Sequence, residues 1–417
     1  MELLLAFALV LLAGVLISGL AHRTILSTAV LFLVAGFVLG EGVTDVLPLQ
    51  PSDAIVLTLA ELALFSVLFT DGMRVGLRDL RRAWRLPGRA LVLGMPLTFG
   101  ITAALAHWVA GLPWAESLLV GAVLAPTDPV FASAIVGRPE VPERLRSLLN
   151  VESGVNDGLA LPVVLVLLTV VSGREEVTIA ELALELALGV AIGVVVPLLA
   201  TLLLRSRFTS TATTYEGLAA VSIGLIVLAL AEVTHANLFL AAFTAGVTIA
   251  TVAPDLRESF ELFGALVTEL LKLGAILVFA TLISPQFLGE IPVLGYVFAV
   301  LALVVARPVS IFIALLGSDL PPRQQAAAAW FGPQGFASVV YGLLVLEGGG
   351  ALADEMFHLI ALVIVASILT PSPTDVPIAH TFARRERAAA AEPAAGEERV
   401  DEPGNTPGDG RAFGRTP

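Results

Sequence analysis

Residues 150–158 read Asn-Val-Glu-Ser-Gly-Val-Asn-Asp-Gly, and the uncharged run Leu-Ala-Leu-Pro-Val-Val-Leu-Val-Leu-Leu-Thr-Val-Val follows at 159–171. The stretch places two carboxyl groups, Glu152 and Asp157, at the mouth or in the interior of an apolar segment. A carboxylate at the centre of a membrane helix costs about 2.5–3.5 kcal/mol. Packing alone does not justify that cost. The stretch therefore predicts a membrane-spanning fold and marks the position of the functional site.

The composition of the chain is that of a polytopic membrane protein. Of its 417 residues, 57% are hydrophobic and 14% are charged, whereas a soluble domain carries about 25% charged residues; the mean hydropathy is +0.92. The sequence has no cysteine, and its five histidines form no ligand-spaced pair, which excludes thiol chemistry and argues against a metal centre. No catalytic triad or phosphate loop is recognisable. We therefore expect no enzyme, no cofactor and no nucleic-acid partner.

Apolar runs long enough to cross about 30 Å of hydrocarbon recur along the chain. They predict an all-α protein with about thirteen transmembrane helices, and the break at residues 232–237 is the least marked. The runs cover residues 3–21, 25–41, 54–72, 89–110, 115–136, 150–171, 179–204, 215–234, 236–253, 259–283, 290–317, 323–346 and 353–370.

Arginine residues occupy alternate loops. They crowd the loop after the third run and recur after the fifth, seventh, ninth and eleventh runs, whereas the loops between are nearly free of them, with Arg174 as the exception. Because basic loops face the cytoplasm, we expect a multi-pass protein of the cell (plasma) membrane with its N-terminus outside and its C-terminus inside. Residues 1–370 form the transmembrane domain, and the Pro-, Gly- and Glu-rich residues 371–417 predict a disordered cytoplasmic tail.

Two of the apolar runs contain helix breakers. The fifth holds Ala-Pro-Thr-Asp-Pro at 125–129, and the twelfth holds Trp-Phe-Gly-Pro-Gln-Gly at 330–335. Proline removes a backbone donor, and unwound backbone inside a membrane is tolerated where it lines a polar cavity. The breaks lie seven helices apart, so the second is inverted relative to the first. This pattern predicts inverted repeats, with helices 1–6 matching 8–13 and helix 7 as connector.

The first break also carries polar groups suited to an ion. Carbonyl groups freed around Thr127 have the oxygen chemistry that hard cations prefer. Asp128 is placed to balance the positive ends of the half-helices.

One face of the sixth run is polar. Glu152 and Asn156 lie four residues apart, as do Ser153 and Asp157, and the two pairs occupy adjacent ridges of a helix. Glu152 also fits a solvated capping acid at the helix end. Asp157 lies more than a turn deeper, which favours a functional role.

A buried arginine needs an acidic partner. Arg307 lies inside the eleventh apolar run, and Glu152 is the natural candidate for that partner. Such a pair would be structural, and Glu152 would then be unavailable as a proton carrier.

The remaining charged residues carry less specific signals. Asp71 ends the third run and fits a C-terminal turn residue. Glu232 and Glu269 fit local ion pairs or a dimer cleft, and Lys272 lies close enough along the chain to pair with Glu269.

Taken together, these motifs resemble those of the monovalent cation:proton antiporters of the NhaP-like type. The resemblance covers about residues 1–370. It rests on Pro-Thr-Asp-Pro at 126–129, Glu-Ser-x-x-Asn-Asp at 152–157, Arg307 and Gly-Pro-Gln-Gly at 332–335. Many relatives carry Arg where this chain has Gln334, and some archaeal relatives use a further acid from the third helix, which Asp71 matches only loosely.

The resemblance implies an NhaA/NhaP-like fold in which two broken helices cross. Asp157 would bind the ion and the proton, and Ser153 and Thr127 would help to coordinate Na⁺. Asn156 would hold the crossed helices. Asp128 would neutralise the half-helix dipoles, and Glu152–Arg307 would be a structural ion pair.

The resemblance also implies a function. A homodimer in the lipid bilayer would exchange Na⁺ or Li⁺ for H⁺, one for one, in pH homeostasis. A buried carboxylate must be neutralised by a proton or by a cation, so competition for Asp157 would couple the two. K⁺/H⁺ exchange by the same mechanism remains an alternative, as does a cation channel or sensor on this scaffold. A proton-coupled carrier of organic anions would need more buried basic residues than Arg307.

Overall fold

The computed structural model of the protein is built almost entirely of α-helices. It describes residues 1–21, 28–75, 85–128, 141–173, 179–205, 216–330, 332, 334–348 and 350–370. Within these ranges the strand-like pairing is a single antiparallel bridge between Thr127 and Gln334. The predicted tail, residues 371–417, lies outside the described residues, as do Pro129, Arg174 and Pro333.

Eight helices are long and apolar enough to cross a membrane, and five shorter apolar helices accompany them in the described ranges. Each of the predicted apolar runs overlaps at least one helix, while the number of membrane crossings stays a prediction. A short helix, Pro285–Glu290, precedes α11. In chain order the helices are α1 (Glu2–Ala21), α2 (Thr28–Leu39), α3 (Ala54–Arg74), α4 (Arg85–Trp108), α5 (Trp114–Val123), α6 (Glu143–Val171), α7 (Ile179–Leu204), α8 (Glu216–Thr234), α9 (Leu238–Val252), α10 (Pro254–Thr281), α11 (Val293–Leu315), α12a (Pro322–Trp330), α12b (Phe336–Gly348) and α13 (Ala353–Leu369).

Helix α6 begins at Glu143 rather than at the predicted residue 150. Its first turns form because Leu145, Leu148 and Leu149 are buried in a small hydrophobic cluster with residues of α11 and α12a. Glu152 consequently lies more than two turns inside the helix and is 3% exposed. The interpretation of Glu152 as a solvated capping acid is therefore wrong.

The least marked break, between α8 and α9, is a sharp turn. His235 adopts a positive φ of 54°, a conformation that few residues other than glycine adopt. The side chain of Asn237 then caps α9 by accepting a hydrogen bond from the Leu240 amide at 2.9 Å. Such a cap satisfies a backbone donor at the start of a helix, so the turn separates two helices within an apolar region.

Small residues bring α3 and α9 into backbone contact. A side chain at Gly72 of α3 would collide with the backbone of α9, and one at Gly246 of α9 would collide with the backbone of α3. Close approach through small residues is how membrane helices gain packing energy. The contact fixes the last turn of α3 beside the polar residues of α6.

Helices α4 and α11 share an irregularity. Each contains one π-helical turn, at Ala90–Gly94 in α4 and at Ala302–Ala306 in α11. In each helix the second residue after the π turn is a proline: Met95-Pro96 follows the turn in α4, and Arg307-Pro308 follows the turn in α11. Helices α4 and α11 are seven apart, the same offset as the two helix breaks. Helices α4 and α11 are partners in the predicted inverted repeats, which stay a prediction, and π turns often occur at functional positions.

Candidate functional site

The extended segment that follows α5 crosses the extended segment in the α12 break, and the two pair with each other. Helix α5 ends at Val123, and α12 is interrupted between Trp330 and Phe336. At the crossing, Thr127 and Gln334 form the antiparallel bridge, and the Gly335 amide donates to the Pro126 carbonyl at 3.3 Å. The predicted break in α12 is therefore present, and α5 ends just before the first predicted break, whose continuation lies outside the described residues.

Helix α6 attaches to this crossing through predicted site residues. The Asn156 side-chain amide donates to Thr127 Oγ1 at 2.9 Å and to the Thr127 carbonyl at 3.2 Å. The hydroxyl groups of Thr127 and Ser153 lie 3.5 Å apart. These three residues are buried. The structure thus brings Thr127, Ser153 and Asn156 together as the sequence analysis predicted.

Hydroxyl groups that the sequence analysis overlooked complete the attachment. Ser338 donates to the carbonyl of Val123, the last residue of α5, at 2.7 Å. Ser367 Oγ accepts a hydrogen bond from the backbone amide of Gln334 at 3.2 Å. The Tyr341 hydroxyl group donates to the backbone carbonyl of Asp157 at 2.9 Å. The available signal was the spacing of Ser338 and Tyr341, which lie three apart on one face of an apolar helix.

Asp157 lies beside the crossing and is 1% exposed. Its Oδ1 atom has no hydrogen-bond partner among the described residues. A Cβ atom at Gly335 would lie 3.3 Å from that oxygen, so the backbone of the second break approaches the carboxylate closely. The charged groups that act on Asp157 are Asp71, Asp128 and Lys272.

Two buried ion pairs flank Asp157. Lys272 Nζ of α10 lies 2.5 Å from Asp128 Oδ2. Arg307 Nη1 of α11 donates to Glu152 Oε1 at 3.0 Å, as the sequence predicted, and Nη2 lies 3.5 Å from Oε2. The spacing of the sequence favours Glu269 as the partner of Lys272. In the structure the Lys272 ammonium group contacts Asp128, and Glu269 lies within electrostatic reach of Lys272.

The buried charged residues differ in whether they have a partner of opposite charge. In the part of the chain that the structure describes, five charged residues are buried: Asp128, Glu152, Asp157, Lys272 and Arg307. Four of them form the two ion pairs. Asp157 is the carboxylate left without a basic partner. An unpaired charge in a low-dielectric environment is costly. Binding of a proton or a cation would neutralise the Asp157 carboxylate.

The other candidate residues surround this arrangement, and Asp71 is close enough to act electrostatically on Asp157. Asp71, in the last turn of α3, pairs with Arg74 at 3.1 Å, which agrees with a turn residue. Glu232 is exposed near the end of α8, and Glu269 is half-buried on α10. No group of three or more acidic or histidine residues suited to a metal ion occurs in the described ranges.

The chemistry of the site is that of oxygen ligands. Asp157 Oδ1 and Asn156 Oδ1 are unpartnered acceptors on adjacent residues within the described chain. Ser153 lies within about one turn of them on α6, and its hydroxyl group is 3.5 Å from that of Thr127 in the extended segment after α5. Oxygen ligands suit hard cations, so the residues fit the ion site that the sequence predicted.

Comparison with known proteins covers almost all of the described chain. Residues 7–376 match the family model described as sodium/hydrogen exchanger, transmembrane. The chain is 25% identical over 373 residues to a protein named K(+)/H(+) antiporter NhaP2 from Shewanella sp. (strain ANA-3), covering 87% of this chain and 64% of that relative. It is 24% identical over 355 residues to K(+)/H(+) antiporter NhaP from Alkalimonas amylolytica, covering 84% and 61%.

The chain thus spans slightly less than two thirds of the length of these curated relatives. Its fold is similar to that of a solved structure, the sodium proton antiporter MjNhaP1 from Methanocaldococcus jannaschii at pH 8. The TM-score is 0.75 at 18% identity, and the alignment covers 92% of this chain and 100% of the other. This similarity confirms the predicted NhaP-like fold class.

Proposed function

The chain belongs to the sodium/hydrogen exchanger family, and from this membership and the geometry of the site we propose that it exchanges a monovalent cation for H⁺ across the membrane. The family is one of transporters, which confirms the prediction that the chain is not an enzyme.

The observation that carries the proposal is the unpaired carboxylate of Asp157. The other four buried charges of the described chain cancel in two ion pairs. Asp157 therefore accommodates one positive charge, which a proton or a monovalent cation supplies. Because the bare carboxylate is costly in a low-dielectric environment, movement between the two sides proceeds with the site loaded. Exchange is then one for one and electroneutral.

The neighbouring residues have supporting roles in this proposal. Ser153 and Thr127 supply hydroxyl ligands to the cation next to Asp157. Asn156 holds the extended segment after α5 through two hydrogen bonds to Thr127. Asp128, paired with Lys272, balances the half-helix ends, while Glu152–Arg307 is a structural ion pair.

Alternating access follows from a rigid-body movement of the unit that contains both breaks. We propose that this core moves against a dimer domain in a homodimer built from inverted repeats. The protein would lie in the plasma membrane with its N-terminus outside and its C-terminus in the cytoplasm, as the distribution of arginine favours.

The identity of the cation is a separate question. The resemblance of the motifs favours Na⁺ or Li⁺, with K⁺ as the alternative. The two curated relatives carry K(+)/H(+) antiporter in their names, which supports K⁺, whereas the structural neighbour is named a sodium proton antiporter. The oxygen ligands of the site suit all three ions.

The test is a proteoliposome assay with a pH-sensitive dye in the lumen and imposed gradients of Na⁺, Li⁺ or K⁺ in separate runs. We expect cation-driven proton movement without net current, and its loss in Asp157→Asn. Glu232→Gln, which removes an exposed carboxylate, is the control and should retain exchange. Full exchange by Asp157→Asn would refute the assignment, and current without proton movement would indicate a channel.

The same assay tests competition. If a proton and the cation share Asp157, the apparent KM for the cation rises as the pH on that side falls, while the maximal rate at saturating cation changes little. A KM independent of pH would contradict a shared site.

A further inference from the structure

A cavity of about 250 Å³ lies beside the helix crossing and includes Gln334 of the α12 break in its wall. Its walls come from α11, from the end of α12a and the break that follows it, and from the end of α13. Most of the wall is aliphatic or aromatic, and the polar exceptions are Arg307, Gln334, Ser367 and Thr370. The lining residues are Val300, Leu303, Val304, Arg307, Ala329, Trp330, Gly332, Gln334, Ala366, Ser367 and Thr370.

The inner end of the cavity carries two unpartnered polar groups. Arg307 is 5% exposed and Gln334 is 3% exposed. Within the described chain, Arg307 Nε and Gln334 Oε1 have no hydrogen-bond partner. Unpaired polar atoms are costly where no water can reach them. Arg307 Nε–H is a donor and Gln334 Oε1 is an acceptor, so a ligand group that both donates and accepts hydrogen bonds matches the two atoms.

The outer part of the cavity opens toward lipid. Val300 is 59% exposed and Val304 is 51% exposed, and both lie on α11, one of the helices long enough to span the membrane. Thr370, the exposed residue that follows α13, forms another edge. By the predicted topology this edge is at the cytoplasmic boundary of the bilayer. A lipid can therefore reach the cavity from the membrane.

The size and charge of the cavity restrict its occupant. A single water needs about 10–15 Å³ of such volume, so the cavity is much too large for one bridging water. The charge of Arg307 is already matched by Glu152 at 3.0 Å, so an anionic head group is not required. A hydroxyl group both donates and accepts hydrogen bonds, as Gln334 Oε1 and Arg307 Nε–H together demand.

We propose that this cavity binds a neutral single-chain lipid with a hydroxyl head group, of the monoacylglycerol class. Its hydroxyl group donates to Gln334 Oε1 and accepts from Arg307 Nε–H. Its alkyl chain lies along Leu303 and leaves past Val300 and Val304. The bound lipid contacts the crossing itself, because the backbone of Gln334 pairs with Thr127.

The test uses the purified full-length protein in detergent and a monoacylglycerol that carries a diazirine in its alkyl chain. After photolysis, mass spectrometry locates the label. We expect labelling of α11 and α13 residues that line the cavity, reduced by excess unlabelled monoolein but not by phosphatidylglycerol. Equal labelling of all lipid-facing helices, or equal competition by phosphatidylglycerol, would overturn the proposal.

Variants separate the cavity from general lipid contact. Ala366→Phe fills the cavity and should abolish specific labelling, whereas Ala187→Phe, at an exposed position of α7, should not. Leu303→Trp provides a second filling variant if Ala366→Phe does not yield folded protein. Gln334→Leu removes the acceptor and should weaken competition by monoolein about fivefold, the effect of one lost hydrogen bond.

Two other occupants have distinct outcomes. If residues 371–417 fill the cavity, the full-length chain takes no label there and the chain ending at Thr370 does. If the cavity holds only water, neither chain is labelled there and the filling variants change nothing. Either result overturns the proposal.

Discussion

Lys272 of α10 holds Asp128, in the break after α5, with Nζ and Oδ2 2.5 Å apart and both side chains buried. The pair joins residues that are 144 positions apart in the chain. It connects a continuous helix to the unwound segment beside Asp157. The aromatic ring of Phe336, at the start of α12b, lies 5.8 Å from the same ammonium group, so Lys272 contacts both interrupted helices.

Breaking this pair should destabilise the protein. Lys272→Met or Asp128→Asn leaves a buried partner unpaired, which costs about 3–5 kcal/mol. The double variant should lose much less unfolding free energy than the sum of the two single losses, because it leaves no unpaired charge of this pair. Thermal unfolding in detergent measures the coupling. Additive losses would contradict a direct pair, and Arg74→Met, which removes the more exposed pair with Asp71, should cost about 1 kcal/mol or less.

A side chain at Gly335 would crowd the carboxylate of Asp157. A Cβ atom there would lie 3.3 Å from Asp157 Oδ1 and 3.4 Å from the Thr127 carbonyl carbon. We expect Gly335→Ala to cost about 1–3 kcal/mol through overpacking and to slow exchange in proteoliposomes. Gly100→Ala is the control, since a Cβ atom there meets nothing within 4 Å. Unchanged exchange by Gly335→Ala would refute the close contact.

Tyr341 should position α6 through one hydrogen bond. Tyr341→Phe removes the donor to the Asp157 carbonyl, so we expect a loss of about 0.5–1.5 kcal/mol in unfolding free energy and a higher KM for the cation. Tyr296→Phe is the matched control, because the Tyr296 hydroxyl donates to the Leu288 carbonyl at an exposed position. Equal effects of the two variants would argue against a positioning role for Tyr341.

Ser153 should affect the cation more than the proton. Ser153→Ala removes a proposed hydroxyl ligand, so the KM for the cation should rise several-fold while the maximal rate changes little. Ser222→Ala is the control, because the exposed Ser222 hydroxyl bonds its own helix at Leu218. A fall in the maximal rate with an unchanged KM would assign Ser153 to another step.

The Glu152–Arg307 pair should be structural. Glu152→Gln leaves the Arg307 charge buried and unpaired, which costs about 3–5 kcal/mol in unfolding free energy. The folded fraction should still exchange one cation for one proton, measured as proton movement without current. An altered ratio in a stable Glu152→Gln protein would place Glu152 in the transport step instead.

The sequence predicted those parts of the site that contain residues energetically unfavourable inside a membrane segment. Prolines and glycines inside apolar runs located the break in α12 and the end of α5, and an arginine inside α11 demanded the acidic partner that it has in Glu152. The polar face of α6 followed from residues four apart. In each case the signal was a residue type that a membrane segment tolerates poorly.

The remainder depended on tertiary contacts. Glu269 lies three residues from Lys272, whereas Asp128 lies far away in the chain, so spacing favoured Glu269 and missed the ion pair with Asp128. The hydroxyl groups of Ser338, Ser367 and Tyr341 are inexpensive in a membrane helix, so the spacing of Ser338 and Tyr341 was the one local signal and Ser367 had none. The early start of α6 came from the burial of its leucines against α11 and α12a, which periodicity within α6 cannot reveal.

The pairing of four buried charges has a consequence for the membrane voltage. Moving one elementary charge through 100 mV changes its energy by about 2.3 kcal/mol. A rigid ion pair that moves as a unit carries no net charge, and in the proposed cycle Asp157 is neutral whether it holds a proton or a cation. The electric field then exerts almost no force on the moving core. The exchange would run equally well in a polarised and in a depolarised cell, driven by the two ion gradients alone.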